Sequence, residues 1–328
     1  MSEQPLLELR NVCVDVPRAG RRTPIRIVDG VSMTVARGES IGIIGESGCG
    51  KTLTALSIVR LLPAGGSVSG GTIAFDGTDL ATRSEEQMRA IRGGRIAMIF
   101  QDPMVALDPL FTIGDQMDET MREHLDLPPA ELRSRSIALL EAVGISDPEG
   151  RLRQHPHEMS GGMLQRIVGA IAISCNAELV IADEPTTALD PTLQAQFLEL
   201  LAGLKRDRGM SVILVTHDFG AAARLCKRIV VMYAGQIVER GTTREVFESP
   251  GHPYARALID ALAYGEPGTR GRLNAIEGQP PDLADVPPGC RFAPRCAFAD
   301  DRCRTEFPPD VELAPGHVAR CWKAGTTA

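Results

Sequence analysis

Aromatic side chains are scarce in this 328-residue chain: Phe, Trp and Tyr together make up 4% of it, and Trp322 is the single tryptophan. That scarcity works against a stacking surface for single-stranded nucleic acid. A basic excess is missing too. Thirty-five Lys and Arg stand against 42 Asp and Glu, a formal charge of -7, whereas a dedicated nucleic-acid binder carries a basic footprint. Nucleic acid is therefore not an expected partner. No window approaches the roughly 18 consecutive apolar residues of a membrane span. The polar, acidic start, residues 1–5, lacks the basic and apolar segments of a secretory signal. The chain is expected to stay in the cytoplasm, where its eight cysteines are poor candidates for disulfides and a cluster of them reads as metal ligands or reactive thiols. Neither an internal repeat nor a low-complexity tract is present.

What is there has the pattern of an α/β protein. Up to about residue 264, β-rich runs alternate with amphipathic helical stretches. Short apolar runs at 40–44, 96–100, 179–182 and 211–215 read as buried strands. Polar or Gly-rich residues follow each one, which places chemistry at the carboxyl ends of strands. Between Gly114 and Val143 the pattern is helical, with Leu132, Ile137, Leu140 and Val143 as its apolar positions, and a helical subdomain is placed at about 102–175. Beyond residue 264 the composition shifts: nine of the 23 prolines fall in the last 64 residues, a density that argues against long helices or central strands. Residues 265–328 are expected to form a separate, loop-rich appendage, with linkers at 267–271 and 279–281.

The run Gly45-Glu46-Ser47-Gly48-Cys49-Gly50-Lys51-Thr52 follows the first of those strands and precedes a helical run at 53–62, so the phosphate-loop motif sits in its required setting. Its glycines let backbone N–H groups converge on phosphates, and the following helix adds its positive end. Lys51 meets the β and γ oxygens of a nucleoside triphosphate, and the Thr52 hydroxyl ligates magnesium. Cys49 reads as a small filler residue with no catalytic part. A second strand, 179–182, runs into Asp183 and Glu184. Beside a phosphate loop, Asp183 suits magnesium and Glu184 suits proton removal from an attacking water. Without that neighbour, two acids at a strand end would be an ordinary solvated turn.

Ahead of that strand, Ser160-Gly161-Gly162-Met163-Leu164-Gln165-Arg166 opens another helix. Taken with the phosphate loop, Gln101, Asp190 and His217, in this order and spacing, residues 6 to about 250 closely resemble the ABC ATPase family. The resemblance implies an ABC-type P-loop nucleotide-binding domain over 1–264: a RecA-like core, an antiparallel β portion and the helical subdomain. It implies ATP and Mg2+ as ligands, with Gln101 sensing the metal and the attacking water while its loop contacts transmembrane subunits. His217 is implied to bond the γ-phosphate and orient Glu184. Ser160, Gly161 and Gly162 would face the ATP of a second subunit, and the loop bearing Asp190 would reach across the same dimer. Taken singly, Ser160 and Asp190 also read as helix caps, and His217 as a turn residue. Two departures stand out: Val16 occupies the position where relatives place an adenine-stacking aromatic, and Met163 replaces the commoner glutamine of the signature.

Four cysteines, Cys290, Cys296, Cys303 and Cys321, follow one another with five, six and seventeen residues between them. Structural zinc sites usually contain closer pairs, and longer loops suit a bulkier iron–sulfur cofactor; spacing alone leaves the metal open. The run 252–258 and the tail 288–321 resemble the carboxyl-terminal extension of ATP-binding subunits from oligopeptide and dipeptide importers. That resemblance implies a 4Fe-4S cluster on the four cysteines, with Zn2+ as the alternative and four reduced thiols as the plain reading. Arg291, Arg295 and Arg302 are expected to offset the cluster's charge. Implied partners are two transmembrane permease subunits, a second identical or homologous ATPase subunit and an extracytoplasmic solute-binding protein, with this chain on the cytoplasmic face of the membrane. Import of nickel or another small solute is the alternative within the family. A soluble ABC ATPase acting on nucleic acid or ribosomes is the alternative outside it.

Overall fold

The computed structural model describes residues 4–18, 20, 23–187, 189–263 and 276–325; the expected boundary at 264–265 and the linker 267–271 lie outside them. The chain divides into two compact units. One comprises Met1–Leu6, Val35–Ser40 and Phe75–Val215, the other Leu7–Thr34, Ile41–Ala74 and Thr216–Ala328.

The second unit opens with β1 (Leu7–Val16), β2 (Ile25–Val35), β3 (Ser40–Ile44), α1 (Lys51–Ile58) and β4 (Ser67–Phe75), and β1 lies between β2 and β4. Along β1 the buried side chains are Leu7 and Leu9, then Val12 and Val14. The alternation slips by one residue at Asn11, whose φ of 49° fits a bulge. Gly71 faces that bulge, where a Cβ would lie 2.3 Å from the Arg10 carbonyl. β3 is buried along its whole length, as a strand inside a parallel sheet must be.

In the first unit, β5 (Thr78–Asp79) and α2 (Glu85–Ile91) lead to β6 (Ile96–Ile99). Helices α3 (Pro103–Ala106), α4 (Ile113–His124), α5 (Pro129–Ala142), α6 (Pro148–Arg151) and α7 (Gly161–Ala172) follow, then β7 (Leu179–Asp183), α8 (Pro191–Arg208) and β8 (Ser211–Thr216). β7 pairs in parallel with both β6 and β8. The helical run expected from 114 to 143 is two helices. α4 starts at a reciprocal cap between Thr112 and Asp115; Pro128 and Pro129 prevent it from continuing unbroken into α5. α8 ends on Gly209 in the left-handed region, with Lys205, Arg206 and Arg208 in its last turn, where cations complement the helix dipole.

The second unit resumes with α9 (Phe219–Leu225), β9 (Arg228–Tyr233), β10 (Gln236–Thr242), α10 (Thr243–Glu248) and α11 (Pro253–Ala263). β9 runs parallel to β3 and turns tightly into antiparallel β10 through Ala234 and Gly235. Both turn residues have positive φ, 45° and 85°, which matches the strands' right-handed twist. The tail contributes α12 (Asp301–Thr305), β11 (Asp310–Ala314) and β12 (His317–Arg320). It does not stand apart as the proline count suggested. β12 pairs antiparallel with β10, Glu239 opposite Ala319, and β11 closes the edge. Pro308 and Pro309 fall just before β11, where a missing N–H costs the sheet nothing. Phe292 anchors the lobe, its ring 5.2 Å from Tyr233 and 5.4 Å from Tyr254. Among the described residues no helix is long and apolar enough to cross a membrane.

Candidate nucleotide site

The phosphate loop is built as its sequence demands. Gly48 and Gly50 take φ of 80° and 103°, open to glycine alone without strain. Gly45 has no room for a side chain, since a Cβ would meet the Met232 carbonyl at 2.2 Å. Lys51 is 5% exposed, and its ammonium donates to the carbonyls of Gly45 at 2.7 Å and Glu46 at 3.0 Å. Thr52 lies in the first turn of α1. Cys49 is buried, and burial pushes its thiol up, which fits the filler role. Val16 ends β1 half-buried, and His217 follows β8 exposed to solvent.

In the first unit, β7 delivers Asp183, 1% exposed, and Glu184, 8% exposed. Glu184 sits at φ 46°, a left-handed conformation that costs a non-glycine residue about 1–3 kcal/mol and collects at functional sites. Its amide donates to the Val215 carbonyl at 2.8 Å. Its carboxylate accepts from Gln101 Nε2 at 3.3 Å and from Thr187 Oγ1 at 3.2 Å. Gln101 and Glu184, expected to share one water, are thus already neighbours, and Thr187 is an orienting partner the sequence did not single out. Ser160 caps α7, accepting from the Met163 amide at 3.3 Å. Asp190 caps α8, accepting from the amides of Thr192 and Leu193 at 2.9 and 3.0 Å. Both capping readings therefore hold, and Ala188, beside Asp190, lies outside the described residues.

Cys290, Cys296, Cys303 and Cys321 line one cavity with Phe292 and Trp322. Burial raises the Cys290 and Cys296 thiols and lifts Cys321 to about 11. The cavity holds about 10 Å³, close to the least that one water needs. Among the described residues no three His, Cys, Asp or Glu side chains are gathered as a metal-holding group, the four cysteines included. The nearby arginines are engaged elsewhere. Arg291 pairs with Asp29, Arg295 with Glu46, and Arg302 with Glu306 while covering the Trp322 ring. Arg302 and Glu306 stand four residues apart, an ordinary helical pair spacing, whereas nothing in the spacing of the sequence foretold the two long-range pairings.

Residues 28–187 match the model of the ABC transporter family, and residues 238–303 match the oligopeptide/dipeptide transporter C-terminal region. The chain is 48% identical over 306 residues to the probable peptide ABC transporter ATP-binding protein y4tR of Sinorhizobium fredii, covering 93% of this chain and 91% of that one. It is 43% identical over 318 residues to the oligopeptide transport ATP-binding protein AppD of Bacillus subtilis, covering 97% and 96%. Among solved structures, the dimeric ATP-binding cassette MJ0796 bound to ADP and Pi superposes with a TM-score of 0.66 at 25% identity, over 73% of this chain and 99% of that one. The fold is that of an ATP-binding cassette. The chain belongs to the ABC transporter family, among the ATPase subunits that carry the oligopeptide/dipeptide-type carboxyl-terminal region.

Proposed function

We propose that this chain hydrolyses ATP to energise the import of di- or oligopeptides through a membrane transporter. The observation that carries this is the joint presence, on one chain, of the cassette match and the peptide-transporter tail match, with relatives aligned almost end to end. By function it divides into a nucleotide-binding domain, 1–264, with its helical part at about 102–175, and an extension, 265–328. Gly45, Ser47, Gly48, Cys49 and Gly50 wrap the phosphates with backbone N–H groups, Lys51 supplies charge, and Val16 lies against the adenine. Thr52, Asp183 and Gln101 would hold Mg2+, which would supply positive charge against the phosphates. Glu184 takes the proton of the attacking water, oriented by Gln101 and His217. Ser160, Gly161, Gly162 and Asp190 serve the nucleotide of a second ATPase subunit, identical or homologous. The remaining partners are two permease subunits and an extracytoplasmic solute-binding protein, which places the chain at the cytoplasmic face of the membrane.

The four tail cysteines suit a 4Fe-4S cluster as donors: all four line a single cavity with aromatic walls. The thiols would have to deprotonate to hold it. The bound cluster would supply a covalent cross-link across the lobe. Iron, sulfide and zinc analysis of anaerobically purified protein decides between cluster, zinc and free thiols.

The test of the catalytic reading is Glu184→Gln. Loss of a general base lowers turnover about 100-fold or more, while ATP affinity, read with a fluorescent ATP analogue, should stay within about twofold. Hydrolysis near the wild-type rate would remove Glu184 from this role.

A further inference from the structure

The cysteine-bearing lobe reaches into the phosphate loop. Arg295, beside Cys296, aims both prongs of its guanidinium at the carboxylate of Glu46, the second residue of that loop, with Nη1 to Oε2 at 2.6 Å and Nη2 to Oε1 at 3.0 Å. Its side chain is 4% exposed. Its other N–H bonds go to the carbonyls of Glu277 and Ile276 at 3.0 and 3.3 Å and to the Tyr233 hydroxyl at 3.4 Å, so the head group is locked in place. Glu46 is held a second time through its amide, which donates to the Tyr254 hydroxyl at 2.8 Å. The same turn grips the far side of the loop. Arg291 donates to the Ala234 carbonyl at 2.5 Å and pairs with Asp29 at 2.5 Å. Gly235, next to Ala234, donates its amide to the Cys49 carbonyl at 2.8 Å and accepts from the Asp29 amide at 2.9 Å.

Packing alone does not require this arrangement. The lobe is already seated by the Tyr233–Tyr254–Phe292 aromatic cluster and by the pairing of β12 with β10, and an ion pair anywhere on the contact would add to it. A two-pronged pair with a buried guanidinium and a partly buried carboxylate is both stronger and more directional than an exposed one, and here it ends on a loop whose backbone N–H groups must be aimed in advance. Glu46 is also a carboxylate in an anion-binding loop, and the Arg295 charge offsets its repulsion toward phosphate. The Glu46 carbonyl in turn holds the Lys51 ammonium.

We infer that Arg295, backed by Arg291, is a positioning residue for nucleotide binding: the 290–296 turn holds the phosphate loop in its binding shape, so the integrity of the cysteine lobe governs nucleotide affinity. This rests on the reading that the loop binds ATP. In the purified full chain, Arg295→Ala should raise the Kd for ATP about tenfold, with little change in kcat at saturating ATP. Arg295→Lys, which keeps the charge and loses the fork, should recover only part of that loss. Amide exchange at Gly48, Cys49 and Gly50 should quicken about tenfold in both variants without nucleotide. In a Glu46→Gln background, Arg295→Ala should cost less than threefold, because the charge it offsets is gone. Unchanged Kd and loop exchange in Arg295→Ala and Arg295→Lys, with only a lowered melting temperature, would overturn the inference and leave the nucleotide reading intact. Failure of the wild-type chain to bind ATP would overturn that reading and the inference with it.

Discussion

Glu239 is the knot that ties the tail to the sheet, and removing it tests how the lobe is held. Its side chain is 0% exposed. Oε1 accepts from the Gly251 amide at 2.8 Å and lies 2.8 Å from His317 Nε2, while Oε2 accepts from the His252 amide at 2.8 Å. One carboxylate thus joins β10 to the segment ahead of α11 and to β12. Glu239→Ala strands two buried amide donors and the His317 ring nitrogen, each worth about 1–3 kcal/mol when unsatisfied, and the relief of no longer burying a charge offsets part of that. The net loss should be about 3–5 kcal/mol, the usual result of breaking a buried pair from one side. His317→Ala leaves the carboxylate with two backbone donors and should cost about 1.5–3 kcal/mol, the worth of one bond to a charged group. The double variant should lose less than the sum by about 1–3 kcal/mol, as contacting partners do. Urea denaturation of the full chain, read by circular dichroism alongside amide exchange at Gly251 and His252, measures all three. Single losses below about 0.5 kcal/mol, or strict additivity, would refute the knot. The pH dependence adds a sign. Burial holds the Glu239 carboxyl above its ordinary 4.5, so the folded chain keeps this proton after the unfolded chain has released it. The stability it contributes is full below 4.5 and is lost as pH rises through the raised value. Glu239→Ala should remove that part of the slope.

Two further substitutions probe packing. In Gly45→Ala the new Cβ meets the Met232 carbonyl at 2.2 Å and the Cys49 sulfur at 2.8 Å. Because the nearer atom is backbone, a loss of about 1–3 kcal/mol and weaker ATP binding are expected; wild-type melting and nucleotide titration curves would contradict this. Phe292→Ala removes the ring that Tyr233, Tyr254 and His252 surround. A cost of about 3–5 kcal/mol should appear as new proteolytic cuts within 276–325 at temperatures where the rest of the chain resists, and an uncut lobe would count against its anchoring role.

Much of the cassette is legible because its signals are short-range. Strand, Gly-rich loop and helix from Ser40 to Ile58 are contiguous, and the structure returns them as β3, loop and α1. The buried runs at 96–100, 179–182 and 211–215 become β6, β7 and β8 within a residue or so. Ser160 and Asp190 were readable as caps because a cap bonds amides two or three positions away. The helical pattern from 114 to 143 becomes α4 and α5, and their division falls at the adjacent Pro128 and Pro129.

By itself, then, the sequence determined the phosphate loop and the strand ends beside it, carried by neighbours along the chain, and a family resemblance gave the peptide-transporter character of the tail. Only the tertiary structure decided that the proline-rich tail extends the sheet through β12, that its four cysteines face one cavity, and that Arg295 seeks Glu46 across 249 positions of sequence. The physical reason is that a cap or a turn is paid for locally and leaves a spacing, whereas an ion pair between distant segments depends on where folding brings two backbones together. An arginine beside a cysteine reads the same whichever carboxylate it finally meets.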